Sequence, residues 1–89
     1  MQTIVGWHVD VEFTEEAGRT RAACLLRLPD GTEMRAHGHA RRHPDDREQQ
    51  RIGEEIAAAR CLNELSRSLM RKAGGEIEEE THIPAHLAM

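Results

Sequence analysis

The sequence predicts an α+β domain, a three-stranded antiparallel meander followed by one long α-helix (β-β-β-α) and a short C-terminal tail. Three observations predict it. Apolar and polar residues alternate through the first 40 positions, turn chemistry interrupts that alternation twice, and after Arg47 the apolar spacing lengthens to three and four. The chain has 89 residues, enough for one small domain. Leu, Ile, Val and Phe together supply only 16 of them, so the core is thin. A net charge of −4 is too modest for a disordered polyanion.

The first strand is predicted from Val5 to Phe13. Val5, Trp7, Val9, Val11 and Phe13 form its buried face, and Gly6, His8, Asp10 and Glu12 its wet one. Glu15-Glu16-Ala17-Gly18 follows as a polar turn. The second strand, about Thr20 to Leu28, sends Ala22, Cys24, Leu26 and Leu28 inward. Leu25 on the opposite face suggests a central strand covered in part on both sides. Pro29-Asp30-Gly31-Thr32 is the second turn, since Pro presets φ and Gly accepts positive φ. A third strand, about Glu33 to Ala40, sets Met34, Ala36, Gly38 and Ala40 inward, small residues that let a helix backbone come close.

Residues 41–46 form a linker ending in Asp45-Asp46, which suits a helix N-cap. The helix is predicted from about Asp46 to Ala73. Its expected apolar stripe is Ile52, Ile56, Ala59, Leu62, Leu65 and Leu69, with Gly74-Gly75 as its stop. Such a helix is ~40 Å long, whereas strands of eight or nine residues span only ~30 Å. The overhang calls for a second copy, so a homodimer is expected. The domain then occupies residues 1–75, and residues 76–89 form an acidic tail expected to pack on the dimer partner.

Several function classes are disfavoured. No apolar run reaches 18 residues, and MQTIVGWH resembles no signal peptide, so a cytoplasmic protein without a membrane partner is expected. Cys24 and Cys61, 37 positions apart, suggest neither a disulfide framework nor a zinc site, and read as small core residues. No phosphate loop, nucleophile elbow or metalloprotease motif is present. No catalytic residue, cofactor or small-molecule substrate is expected.

Charge is distributed unevenly. Residues 1–18 carry −4, residues 19–51 carry +3 and residues 52–89 carry −3. Eight Arg in the middle block make a basic strip, with Arg27 and Arg35 on the outer face of neighbouring strands leading towards Arg41 and Arg42. Arg forks onto phosphate, so the functional reading is a backbone contact surface for RNA, and the plainer one a solvated face of internal ion pairs. His37 and His39 share a strand face with His43 nearby, a weak metal-ligand candidate that no carboxylate or Cys completes.

Five blocks carry a resemblance to a family of small actinobacterial proteins of unknown function. They are Trp7-His8-Val9-Asp10, Gly18-Arg19-Thr20-Arg21-Ala22, the run from His39 to Arg47, Ile52-Gly53-Glu54-Glu55 with Ala59-Arg60, and Thr81-His82-Ile83-Pro84-Ala85. The resemblance implies a fold like that of double-stranded-RNA-binding domains, a dimer, a stress or dormancy association and a likeness to ribosome hibernation-promoting factors. Among the matched residues, Trp7, Gly18, Gly53 and Pro44 suit core, turn or helix-entry positions. Arg21, Arg41, Arg42, Arg47 and His82 do not, which points to an interaction surface. The expected partner is then ribosomal RNA or a ribosomal protein, the alternative an adaptor that binds a protein and no nucleic acid.

Overall fold

The structure, a computed structural model, describes residues 2–41, 50–82 and 84–85. Strands β1 (His8–Glu16), β2 (Arg19–Arg27) and β3 (Glu33–Arg41) form one antiparallel sheet in the order β1-β2-β3. Helix α1 (Gln50–Thr81) packs across β2 and β3. The α+β meander-plus-helix architecture is the one expected.

Strand β1 is displaced by three residues from its expected span. It pairs with β2 from His8↔Arg27 to Glu16↔Arg19, so the alternation at Val5 and Trp7 continues past the end of its partner and finds no ladder. At the other end, Glu15 and Glu16 stay in the strand and only Ala17 and Gly18 turn. Both have positive φ, 48° and 75°, as a tight hairpin with right-handed strand twist demands. The second turn spans residues 28–32. Its Thr32 N–H donates to Asp30 Oδ1 at 2.9 Å, and the Thr32 side chain and N–H hold the Asp30 carboxyl below its usual pKa. A depressed carboxyl stabilises the fold above its unfolded pKa, so this turn loosens as pH falls through the folded value.

The helix meets the sheet along Gly53, Ala57, Cys61 and Leu65, spaced four apart, so that of the expected stripe only Leu65 and Leu69 pack on the core. Ala57 and Cys61 are fully buried, while Ile52, Ile56 and Leu62 stay exposed, as does Ala59. Small residues face small residues: Ala22, Ala36, Gly38 and Ala40 line the sheet side. At Gly38 the approach is backbone to backbone. A Cβ there would run into the Ala57 carbonyl oxygen and the Cys61 amide nitrogen, and would lie 2.9 Å from Cys61 Cα. Ile52, Ile56 and Leu62 were the stronger hydropathy signal, but they lie off this seam. Leu26 and Cys61 are the largest fully buried side chains, so the core is as thin as the composition suggested.

That seam corrects the expectation for the two cysteines. Cys24 on β2 and Cys61 on α1 are joined by a disulfide, with Cα atoms 6.3 Å apart. The pairing is invisible until the helix face is known, because Cys61 lies off the stripe of large residues. A link across 37 positions lowers the entropy of the unfolded chain by about 4 kcal/mol in the loop-closure account.

The helix also runs through its expected stop. Gly74-Gly75 lowers helix propensity by ~1 kcal/mol per residue, yet Lys72 pairs with Glu76 across it and holds the turns together. The Lys72 ammonium has its pKa raised, chiefly by that hydrogen bond. Helix α1 ends instead at His82, in left-handed conformation with φ 59°, whose N–H donates to the Glu78 carbonyl at 2.7 Å. Residues 76–81, expected as tail, are therefore the last turns of α1. The expected helix start at Asp46 lies outside the described residues. At about 48 Å, the 32-residue helix overhangs the sheet even further than anticipated.

Two substitutions test this account with opposite signs. Gly38→Ala is expected to destabilise by about 2–3 kcal/mol, read as a lowered urea midpoint, because backbone must move. Ala17→Gly is expected to stabilise by about 0.5 kcal/mol, since relief at positive φ exceeds the added unfolded-state entropy.

Candidate anion-binding face

The sheet has one face under α1 and one face open. Side chains alternate along each strand, so the cross-strand register determines the open face row by row. From one end to the other it reads His8, Arg27, Glu33; Asp10, Leu25, Arg35; Glu12, Ala23, His37; Thr14, Arg21, His39; Glu16, Arg19, Arg41. β1 contributes every acid of this face but Glu33, and β2 and β3 contribute its five arginines, with Leu25 and Ala23 half-buried on β2.

The expected Arg strip divides in two. Arg27 Nε donates to Glu33 Oε2 at 3.2 Å, and Arg35 Nη2 lies 3.5 Å from Glu33 Oε1. One glutamate thus pairs with both arginines at that end, as the plainer reading of the strip has it. The other end is different. Arg19 and Arg41 stand directly opposite each other across β2 and β3, with Arg21 and His39 as the adjoining pair. Among the described residues, neither Arg19, Arg21 nor Arg41 has an ion pair or side-chain hydrogen bond. Like charges directly opposite are destabilising, and the only acid in the same row is Glu16, across from Arg19 on β1. Three guanidinium groups on one exposed corner are suited to hold a phosphate-bearing or carboxylate-bearing ligand by charge-assisted, forked hydrogen bonds.

Local sequence builds this corner. The two-residue Ala17-Gly18 turn starts β2 at Arg19, which aligns Arg19 and Arg21 with the far end of β3. Buried Thr20, between them on the other face, donates its hydroxyl to Glu15 Oε1 at 3.2 Å and seats against Gly53 of α1. At the β3 edge, Arg60 Nη1 donates to the His39 carbonyl at 2.7 Å and ties the helix beside the corner. Arg19 had no place among the expected contact residues. Its signal was the Gly18-Arg19 turn boundary, which determines the register that brings it to Arg41.

The other expected residues fall elsewhere. Arg42, Arg47 and His43 lie outside the described residues. His82 sits at the far end of α1, about 40 Å along the helix from Gly53, so it does not join the arginine corner. His37 and His39 do share the open face, but among the described residues no group of three or more His, Cys, Asp or Glu is placed to hold a metal ion.

The helix-side face of β1 presents a second surface. Trp7, expected in the core, is 52% exposed and Phe13 is 42% exposed, with Val5 and Val9 also open. The reason is the position of α1, which covers β2 and β3 and leaves β1 without a roof; only Val11 packs against the core. Among the described residues no helix is long and apolar enough to cross a membrane.

Comparison with known proteins agrees with the fold and places the chain in a family. Uncharacterised proteins Mb1767 of Mycobacterium bovis and MT1780 of Mycobacterium tuberculosis are each 38% identical to it over 81 residues, covering 91% of this chain and 85% of theirs. The crystal structure of Rv2632c superposes with a TM-score of 0.83 at 35% identity, covering 93% of this chain and 98% of that one. The model of the Rv2632c-like family matches residues 5–86, and the chain belongs to that family of uncharacterised mycobacterial proteins.

Proposed function

We propose that this protein is a non-catalytic, stress- or dormancy-associated cytoplasmic binding protein that contacts ribosomal RNA through its arginine corner. The observation that carries the reading is the facing pair Arg19 and Arg41, without an ion pair among the described residues, beside Arg21 and His39. A like-charge corner lowers stability, and a polyanionic partner is what makes such a corner useful. The chain has two aromatic residues in all, so recognition rests on phosphate and shape and not on base stacking. The family resemblance implies a fold like that of double-stranded-RNA-binding domains and a likeness to hibernation-promoting factors, an analogy between folds that supports the same partner class.

The protein acts as a homodimer in this reading. Three features support that: the overhanging last turns of α1, the unpaired edge of β1 and the exposed Val9 and Phe13 beside it. Residues of the C-terminal segment then pack on the partner copy. A second reading, a protein-binding adaptor with no nucleic-acid partner, is favoured by the exposed Trp7 and Phe13 alone.

Co-sedimentation with ribosomes discriminates the two. If three arginines neutralise phosphates, affinity falls about 20–40-fold between 50 and 200 mM salt. Replacing Arg19, Arg21 and Arg41 together by Glu abolishes binding, while Arg27→Gln with Arg35→Gln has little effect. Salt-insensitive association, or none, removes the RNA reading. Sedimentation velocity of the dilute protein is expected to give twice the monomer mass, and a single 10 kDa species removes the dimer. Arg41→Glu, which gives Arg19 an opposite charge, is expected to raise the melting temperature by about 2–6 °C while weakening ribosome binding.

A further inference from the structure

Both cysteines of the chain lie in the seam between α1 and the sheet, 3% and 0% exposed, and are bonded to each other. We propose that Cys24 and Cys61 form a reversible thiol–disulfide couple that adds or removes a covalent clamp between α1 and β2, with the domain folded in both states. This goes beyond the binding function above and does not depend on it.

The packing accommodates the reduced form as well as the oxidised one. Cys61 Sγ lies 3.3 Å from the Ala36 carbonyl oxygen, which is placed to accept a thiol proton once the bond is cleaved. The rest of the buried cluster is Ala22, Leu26, Ala36, Ala40, Ala57 and Leu65, among which a free cysteine behaves as a small hydrophobe. The close contact of Gly38 with the Ala57–Cys61 stretch of α1 uses no sulfur–sulfur bond, so the helix keeps its seat after reduction. What changes is how much holds it there. With Leu26 and Cys61 as the largest fully buried side chains, few apolar contacts back up the covalent link. Loss of the link therefore removes a large fraction of the stability.

The chemistry is thiol–disulfide exchange with a small-molecule disulfide such as oxidised glutathione. One cysteine thiolate attacks that disulfide and expels one small thiolate, forming a mixed disulfide. The second cysteine thiolate then displaces the other small thiolate, forming the Cys24–Cys61 bond. Two protein thiols lose two electrons and two protons in all, and one small disulfide becomes two thiols. The reverse sequence reduces the protein. Because both sulfurs are buried, exchange requires α1 to lift transiently from the sheet, which makes it slow under native conditions.

The test uses the full chain in glutathione buffers from fully reducing to fully oxidising. Samples are quenched with a maleimide in denaturant, and intact mass gives the labels per chain. The expected result is a switch between two labels and none, reversible on returning the buffer, with no disulfide-linked dimer. The oxidised protein is expected to melt at least ~10 °C above the reduced one, with the same far-ultraviolet circular dichroism at 25 °C. Cys24→Ala and Cys61→Ser, each alone, should melt near the reduced wild type and lose all response to buffer potential. Two labels persisting in oxidised glutathione, a linked dimer, equal melting temperatures or a reduced chain without helix at 25 °C would each overturn the proposal. The wild-type arms decide the matter even if a variant fails to fold.

Discussion

The close seat of α1 on Gly38 governs the rest of the molecule. A helix can approach a sheet backbone this nearly only where neither side carries bulk, and here Gly53, Ala57 and Cys61 meet Ala22, Ala36, Gly38 and Ala40. The gain is dense packing from few atoms, which matters in a chain with so little apolar volume. The consequence is directional. A helix drawn down onto β2 and β3 cannot also lie over β1, so Val9 and Phe13 stay open, as does Trp7 before the strand. The same seat brings Cys61 within bonding distance of Cys24.

Charge follows from topology in a comparable way. With α1 covering one face, most polar side chains of the alternating strands fall on the other, Thr20 and Glu15 excepted. The meander then sorts them, most acids on β1 and the arginines on β2 and β3. Glu33 pairs with both Arg27 and Arg35 at one end through contacts of 3.2 and 3.5 Å. At the opposite end, among the described residues, Glu16 is the one acid in the row of Arg19 and Arg41. Net charge conceals this, since a chain of −4 carries a cationic corner that only the strand register locates.

Both the helix end and the first hairpin record competition between local preference and context. Gly74-Gly75 is a local stop, overridden by the Lys72–Glu76 pair and by an αL residue eight positions further on. Ala17 carries a positive φ that its own side chain disfavours, because the two-residue hairpin requires it and Glu15 and Glu16 are held in the ladder. In each case the longer-range arrangement prevails over a preference worth about 1 kcal/mol.

Strand number, strand order and the helix after them were legible in the sequence, because period-two alternation and the Pro29–Thr32 turn act over a few residues. So was the inward set of β2 and β3, Ala22, Cys24, Leu26, Ala36, Gly38 and Ala40, along with a thin core. The helix face was legible only in part, through Leu65 and Leu69. Hydropathy weights Ile52, Ile56 and Leu62, whereas the seam selects residues for smallness, and smallness has no period until a partner surface exists. From that one rotation followed the disulfide, the bare face of β1 and the exposure of Trp7. The arginine corner was legible as composition and not as geometry. Arg21 and Arg41 stood out by type, but Arg19 joined them only through a cross-strand register that two short turns impose at a distance.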